Sequence, residues 1–519
     1  LADHGEAVQF NSALFLFSFL PLALAGFLVC ERFFKRGILP WLVGSSLVFY
    51  GWSNPKALAI LLPSALFNYA VGTAINRTQN KGLLAFGVAA NLILLGYFKY
   101  AGFLVGNLNT LLHSQIAIGQ IILPLGISFF TFAQIAWLVS SSRRETVPCT
   151  LIEYLAFASF FPQIVSGPIP YQKELVPQFS QTRDADGRAS DFAVGTTLFA
   201  MGLFKKVMVA DMLAPWATQV FWAAGQGQPV TMLAAWIGAL AYTFQLYYDF
   251  SGYSDMAIGV ARLFGYRLPL NFNSPYQSTS ISDFWRRWHM SLSRFLRDFL
   301  YFSLGGSRCA AWRCYMNLFI TMLLGGLWHG AGWTFIVWGG LHGLYLVINH
   351  AWSSWRDGAE KKSPSTAEIW GARLITFGAV ILAWIFFRAA NFSEGASILK
   401  GMVGWNGLMK ECDTLFFKTE PAIAHIIAIA GFPVDSQWVM LGTLLFLLWV
   451  AWFCPNSQQL LAAYSPGLVT YGKNIEPHPW AAKGFCWKPS WGWLVLTALV
   501  LAWGFVQMTG VTSFLYADF

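Results

Sequence analysis

Two histidines stand out as the residues with chemistry to offer. His289 follows Trp288 in ISDFWRRWHMSLSRFLRDFL, and His329 follows Trp328 in Gly325-Gly326-Leu327-Trp328-His329-Gly330. The second lies inside residues 314–355, a run without Lys, Arg, Asp or Glu. A neutral imidazole can take a proton from a hydroxyl and return it later. An ionisable group in so apolar a run is a functional hypothesis by default, and its rival is a core histidine satisfied by its neighbours. Glycines on both sides of His329 permit close backbone approach or a break that opens room for a ligand. His342, further along the same run, reads as a packing or supporting residue.

Around His289 the charges have their own pattern. Drawn as one helix over 283–300, Arg286, Arg287, Arg294 and Arg297 share one face. Trp285, Trp288, Leu292, Phe295, Leu296 and Phe299 share the opposite face, with His289 near its edge. Such a helix offers its basic side to anionic lipid headgroups or to a phosphorylated ligand. The plainer reading is a lipid-surface helix with a core histidine.

Acids are few. Tyr247–Gly259 (YYDFSGYSDMAIG) holds Asp249 and Asp255, whose spacing does not put them on one helical face, and Gly252 suggests a break between them. They read as supporting polar groups, or as partners of Arg262 or Arg267. Lys205-Lys206, shortly before Asp211, reads as a helix end with snorkelling lysines or as a cationic contact to an anionic donor. There is no G-x-S-x-G, no Walker loop and no HExxH. The seven cysteines are scattered and odd in number. Cys309 and Cys314 are too few for a zinc site. All seven read as free thiols, and no metal or bound cofactor is expected. The chemistry left is base-assisted transfer to a hydroxyl.

The elements that must position these residues are membrane helices. Of the 519 residues 56% are apolar and 11% charged, against about a quarter charged in soluble domains. Charge-free runs at 37–55, 57–76, 82–98, 100–142, 154–172, 212–248, 314–355, 436–472 and 489–517 predict an all-α polytopic membrane protein. About eleven spans are expected, with re-entrant and amphipathic pieces, since a span needs about 20 apolar residues. FFPQIVSGPIPY within 154–172 carries too many prolines and glycines for a regular span and reads as re-entrant. Breaks are expected at Asn54-Pro55, at Pro63 and at Pro124–Ser128, and a loop over 356–373. The net charge of +9 belongs to cytoplasmic loops and membrane lipid rather than nucleic acid. Ala13–Cys30 reads as a retained first span, with the N-terminus outside and Arg32, Lys35 and Arg36 in the cytoplasm. The chain is expected to form a single membrane domain, 1–519, with a core over 8–390 and C-terminal spans and loops over 391–519.

The stretch SDFWRRWHMSLSRFLRDFLYFSLGG…NLFITMLLGGLWHGAGWTFIVWGGLHG closely resembles the membrane-bound O-acyltransferase (MBOAT) family, in its bacterial polysaccharide O-acetylation branch. The blocks LYYDFSGYSDMAIG, GLFKKVMVAD, FFPQIVSGPI, LPLGISFF, GYFKYAGF and FNSALFLFSFLP extend the resemblance over most of 8–390. It implies a many-helix fold with funnels from both faces in the bacterial inner membrane, and acetyl-CoA as donor. It implies transfer toward an exported polysaccharide through a periplasmic acetyltransferase partner of a secretion system. The family's invariant histidine falls on His329 and its second on His289. His329 is then the general base, and His289 orients the reactants or meets the donor; the helical wheel, rather than the resemblance, adds that the four arginines draw the anionic donor to the cytoplasmic mouth. The alternatives are D-alanyl-type transfer from a carrier protein, and a transporter or scaffold that catalyses nothing.

Overall fold

A computed structural model describes residues 9–181, 184–356, 364–409, 437–470, 478–484, 486–508 and 514–515. Among the described residues the regular elements are all helices, apart from one isolated bridge between Pro269 and Leu468. Five helical stretches are long and apolar enough to cross a bilayer: Phe15–Phe33, Pro55–Thr78, Lys81–Leu112, Ala185–Gly225 and Thr366–Arg388. Ile127–Ser142, Gln437–Phe453 and Trp491–Gln507 are apolar but shorter. Other charge-free runs became helices interrupted by turns, or helices carrying polar side chains, and so do not qualify by length and composition. Leu22, Ile93, Leu111, Ile375 and Val506 are exposed, as lipid-facing side chains should be.

Contacts divide the chain into two compact units. The first holds Leu1–Phe204, Gly252–Asn271 and Ser457–Phe519. Its irregular heart is the FFPQIVSGPIPY stretch, where helices Leu151–Ser159 and Phe161–Ile164 give way to buried non-helical backbone up to Tyr171. Non-helical backbone at membrane depth survives only inside protein, and here the chain packs tightly. A Cβ on Gly126 (φ +68°) would sit 2.3 Å from the Ile164 carbonyl oxygen. The first unit also buries a polar network. Asn68 Nδ2 donates to Gln134 Oε1 (3.0 Å) and Asn91 Oδ1 (3.1 Å), and Asn91 Nδ2 returns a bond to Asn68 Oδ1 at 2.7 Å.

The second unit holds Lys205–Ser251 and Phe272–Asn456. Its centre is the antiparallel pair Ala311–His329 and Trp333–Arg356, joined by three residues. Small residues let the two backbones meet: a Cβ on Gly326 would lie 2.3 Å from the Phe335 carbonyl oxygen, and one on Gly339 2.4 Å from that of Met322. Thr366–Arg388 begins in a capping box, Ser365 with Glu368. The charged loop expected over 356–373 is therefore helical at both ends, and residues 357–363 lie outside the described residues. Residues 410–436 do as well; the part of 391–435 that is described forms helix Phe392–Met402.

Two expected breaks are absent. Pro63 lies inside helix Leu58–Thr78. Gly252 lies inside Met232–Leu263, one unbroken helix of 32 residues. Its glycine serves packing instead, since a Cβ on Gly202 would fall 2.5 Å from the Gly252 carbonyl oxygen.

Candidate active site

The segment carrying His289 is not the continuous helix over 283–300 that the wheel assumed. Ile281–Trp285 is a short helix, capped by the Ser280 side chain on the Asp283 N–H. The chain then turns, and helix Met290–Phe295 begins after His289, which holds φ 41° and ψ 54°. That left-handed conformation is unusual for a residue with a Cβ and costs about 1–3 kcal/mol. The turn sends the imidazole into the interior, where His289 is 0% exposed. It also breaks up the basic face. Arg286 is exposed, whereas Arg294 is buried. Arg287 bonds Asp283 through Nε at 3.0 Å, and Arg297 bonds its neighbour Asp298 at 2.7 Å. The four arginines do not form one cationic surface, because the wheel was drawn through a turn.

His329 is the last residue of Ala311–His329; Gly330 is extended (φ −160°, ψ 147°) and ends the helix. The ring is buried among aromatic faces and edges. Trp328 and Trp338 each stand 4.9 Å from it and Phe387 5.2 Å, all edge-on. Helix Ala311–His329 thus supplies the imidazole, Trp333–Arg356 supplies Trp338, and Thr366–Arg388 supplies Phe387. Edge-to-face pairs of this kind contribute about 0.5–1.5 kcal/mol each beyond burial. The two histidines, forty positions apart in sequence, come together with ring centroids 6.5 Å apart. Phe250 stands edge-on to His289 at 4.7 Å.

His342 stands behind this pair. Trp338 lies 4.9 Å from both His329 and His342. Trp285 Nε1 donates to His342 Nδ1 at 3.3 Å, so the neutral ring keeps its proton on Nε2. His342 therefore packs against Trp338, an indole that also meets His329.

The two aspartates part company. Asp249 is 1% exposed and accepts from Lys206 Nζ at 2.7 Å, and Lys206 also bonds Asp211 at 2.8 Å. Lys206 lies in a π-helical stretch, Lys205–Ala210, between Ala185–Phe204 and Asp211–Gly225. It is neither at a helix end nor snorkelling: its side chain is 2% exposed. Asp249 precedes Phe250, so this ion triad anchors the turn of helix whose ring meets His289. Asp255 belongs to the first unit, where Ser457 Oγ (2.6 Å) and Gln458 Nε2 (2.9 Å) donate to its carboxylate. Arg262 pairs with Asp191 at 2.8 Å.

Sequence reasoning missed the aromatic shell: Phe250, Trp338 and Phe387 come from three helices, and nothing in their local spacing marks them. Lys206 was visible, but its partner Asp249 is 43 positions away. Among the described residues no group of three or more His, Cys, Asp or Glu could hold a metal.

A helical membrane protein with two buried, clustered histidines defines a class rather than an activity, and comparison with known sequences supplies the activity. The profile of the membrane-bound O-acyltransferase family matches residues 8–401. The chain belongs to that family and is an O-acyltransferase. It is 42% identical over 476 residues to a peptidoglycan O-acetyltransferase of Helicobacter pylori, covering 85% of this chain and 89% of the relative. A probable alginate O-acetylase of Pseudomonas aeruginosa is 45% identical over 406 residues, 76% of this chain and 74% of that protein. A teichoic acid D-alanyltransferase of Streptococcus thermophilus is 29% identical over 283 residues, 51% of this chain and 68% of the relative.

Proposed function

We propose that the protein is an inner-membrane O-acetyltransferase that takes an acetyl group from acetyl-CoA and passes it on for O-acetylation of an exported polysaccharide, through a periplasmic partner. The observation that carries this reading is the 6.5 Å pairing of His289 with His329 inside an aromatic shell. Two imidazoles at that separation can face one acceptor oxygen and one thioester carbonyl. His329 takes the proton of the attacking hydroxyl as its oxygen bonds to the acetyl carbon. The carbon–sulfur bond breaks, and the departing thiolate receives the proton back, leaving an ester and free coenzyme A thiol. His289, fixed by its left-handed backbone, orients the reactants. The aromatic shell excludes water, which would otherwise take the acetyl group. The named relatives act on alginate and on peptidoglycan, and the glycan of this chain is of that exported kind.

Purified protein in lipid vesicles, given radiolabelled acetyl-CoA, a periplasmic extract and the exported polysaccharide, should produce labelled ester that hydroxylamine releases. His329→Ala should produce none and leave the thioester uncleaved. Transfer only from an aminoacyl carrier-protein thioester would replace the acetyl-CoA reading with the D-alanyl type. Thioester cleavage at equal rates in both proteins would leave the site without a catalytic role.

A further inference from the structure

The segment carrying His289 connects to the helix ending at His329 through a short basic elbow, and the elbow holds two cysteines in contact. Cys309 Sγ and Cys314 Sγ stand 3.0 Å apart, five positions apart in sequence. Neither position is accidental. Gly305 (φ +110°) and Gly306 (φ +59°) turn the chain back on itself. Cys309 Sγ donates to the Gly306 carbonyl at 3.3 Å, and Cys314, in the first turn of Ala311–His329, donates to the Cys309 carbonyl at 3.4 Å. Asn317 Nδ2 donates to the Gly306 carbonyl at 3.2 Å and fixes the turn against the helix. Both thiols are half-buried, while Arg308, Trp312 and Arg313 around them are exposed. Among the described cysteines, Cys30, Cys149, Cys454 and Cys486 have no such thiol neighbour.

We propose that Cys309 and Cys314 form a redox site, a dithiol that a small disulfide of the glutathione class oxidises in place to an intramolecular disulfide. One thiolate attacks the small disulfide, forming a mixed disulfide and releasing one small thiol. The second thiolate then attacks the protein sulfur of that mixed disulfide and releases the other. The protein loses two hydrogens and two electrons, and the small disulfide gains them. Closing the bond requires the sulfurs to approach by about 1 Å, which side-chain rotation at an exposed turn can supply. The elbow from Ser303 to Arg313 carries two cations and no acid, which places it on the cytoplasmic side. A thiol pair there rests reduced. The loop it closes is short, so the bond would add less stability than one closing a long loop, which suits a switchable pair. The Cys314 hydrogen bond raises the Cys309 thiol against the pull of Arg313. With Tyr301 and Arg308 as the other titratable neighbours, thiolate and exchange rate should both rise as pH climbs into the alkaline range.

The test is titration of the detergent-solubilised full chain with oxidised glutathione, read by intact mass and by peptide mapping without reduction. The wild type should lose two hydrogens and yield a Cys309–Cys314 cross-linked peptide, faster at pH 9 than at pH 7, and reduced glutathione should reverse it. Cys309→Ser and Cys314→Ser should each stop at a glutathione adduct on the remaining thiol, with acyl transfer retained. Stable adducts on both cysteines of the wild type would overturn the proposal. So would a cross-link formed only after denaturation, or no reaction at this pair.

Discussion

Two of the buried polar clusters among the described residues, one in each unit, are built on opposite plans. In the first unit Ser64, Asn68, Asn91 and Gln134 bond one another at 2.7–3.1 Å, and Trp137 Nε1 adds a bond to the Asn68 carbonyl at 3.0 Å. Their hydrogen bonds are spent on holding helices Leu58–Thr78, Lys81–Leu95 and Ile127–Ser142 together. In the second unit the three imidazoles are gripped by rings: Phe250, Trp328, Trp338 and Phe387 around the pair, and Trp285 and Phe284 around His342. At His342 a hydrogen bond from Trp285 Nε1 to Nδ1 at 3.3 Å adds to the ring contacts. The contrast lies in the contacts, amide hydrogen bonds in one unit and ring packing in the other, which residue type alone does not show.

Perturbing the two clusters should therefore give different signatures. The largest effect is expected from His329→Ala, which should cut acyl transfer by the folded protein by about 10²–10⁴-fold, with a lower thermal unfolding midpoint as its three ring contacts are lost. Unchanged transfer by the folded variant would make His329 resemble Asn68. Next comes Lys206→Met, which removes the cation from the buried Asp249 carboxylate and should cost about 3–5 kcal/mol in denaturant unfolding. Asp249→Asn should cost less, because Lys206 keeps Asp211; equal losses would show that the Asp211 contact carries no weight. Asn68→Ala leaves Asn91 and Gln134 short of partners and should cost about 1–3 kcal/mol, with the specific activity of the folded protein unchanged. The smallest effect is expected from Trp285→Phe, which removes the donor to His342 at a cost of about 0.5–1.5 kcal/mol. A few-fold loss of transfer at nearly unchanged stability is the outcome to look for.

Much of this was legible in the sequence, for physical reasons. Charge-free runs mark helices that must satisfy their own backbone, so the class followed directly. His289 and His329 were visible because an ionisable group in apolar sequence needs a reason. The turn at His289 was not legible: Ile281–Phe299 has a clean helical alternation of apolar and basic residues, and only tertiary packing reveals the left-handed residue in its middle. The arginine face failed for the same reason. Gly252 misled in the other direction, since a glycine that admits a neighbouring backbone looks identical in sequence to one that breaks a helix. The Lys206–Asp249 pair and the aromatic shell depend on residues brought together from distant helices, which a single sequence does not pair.

The account rests on His329 acting as a proton acceptor and not as packing. The direct measurement is chemical rescue: acyl transfer by His329→Gly in lipid vesicles, with and without added imidazole, beside the wild type. The account predicts that transfer collapses in the variant and returns in part as imidazole is added. Transfer at the wild-type rate by folded His329→Gly without imidazole would contradict it.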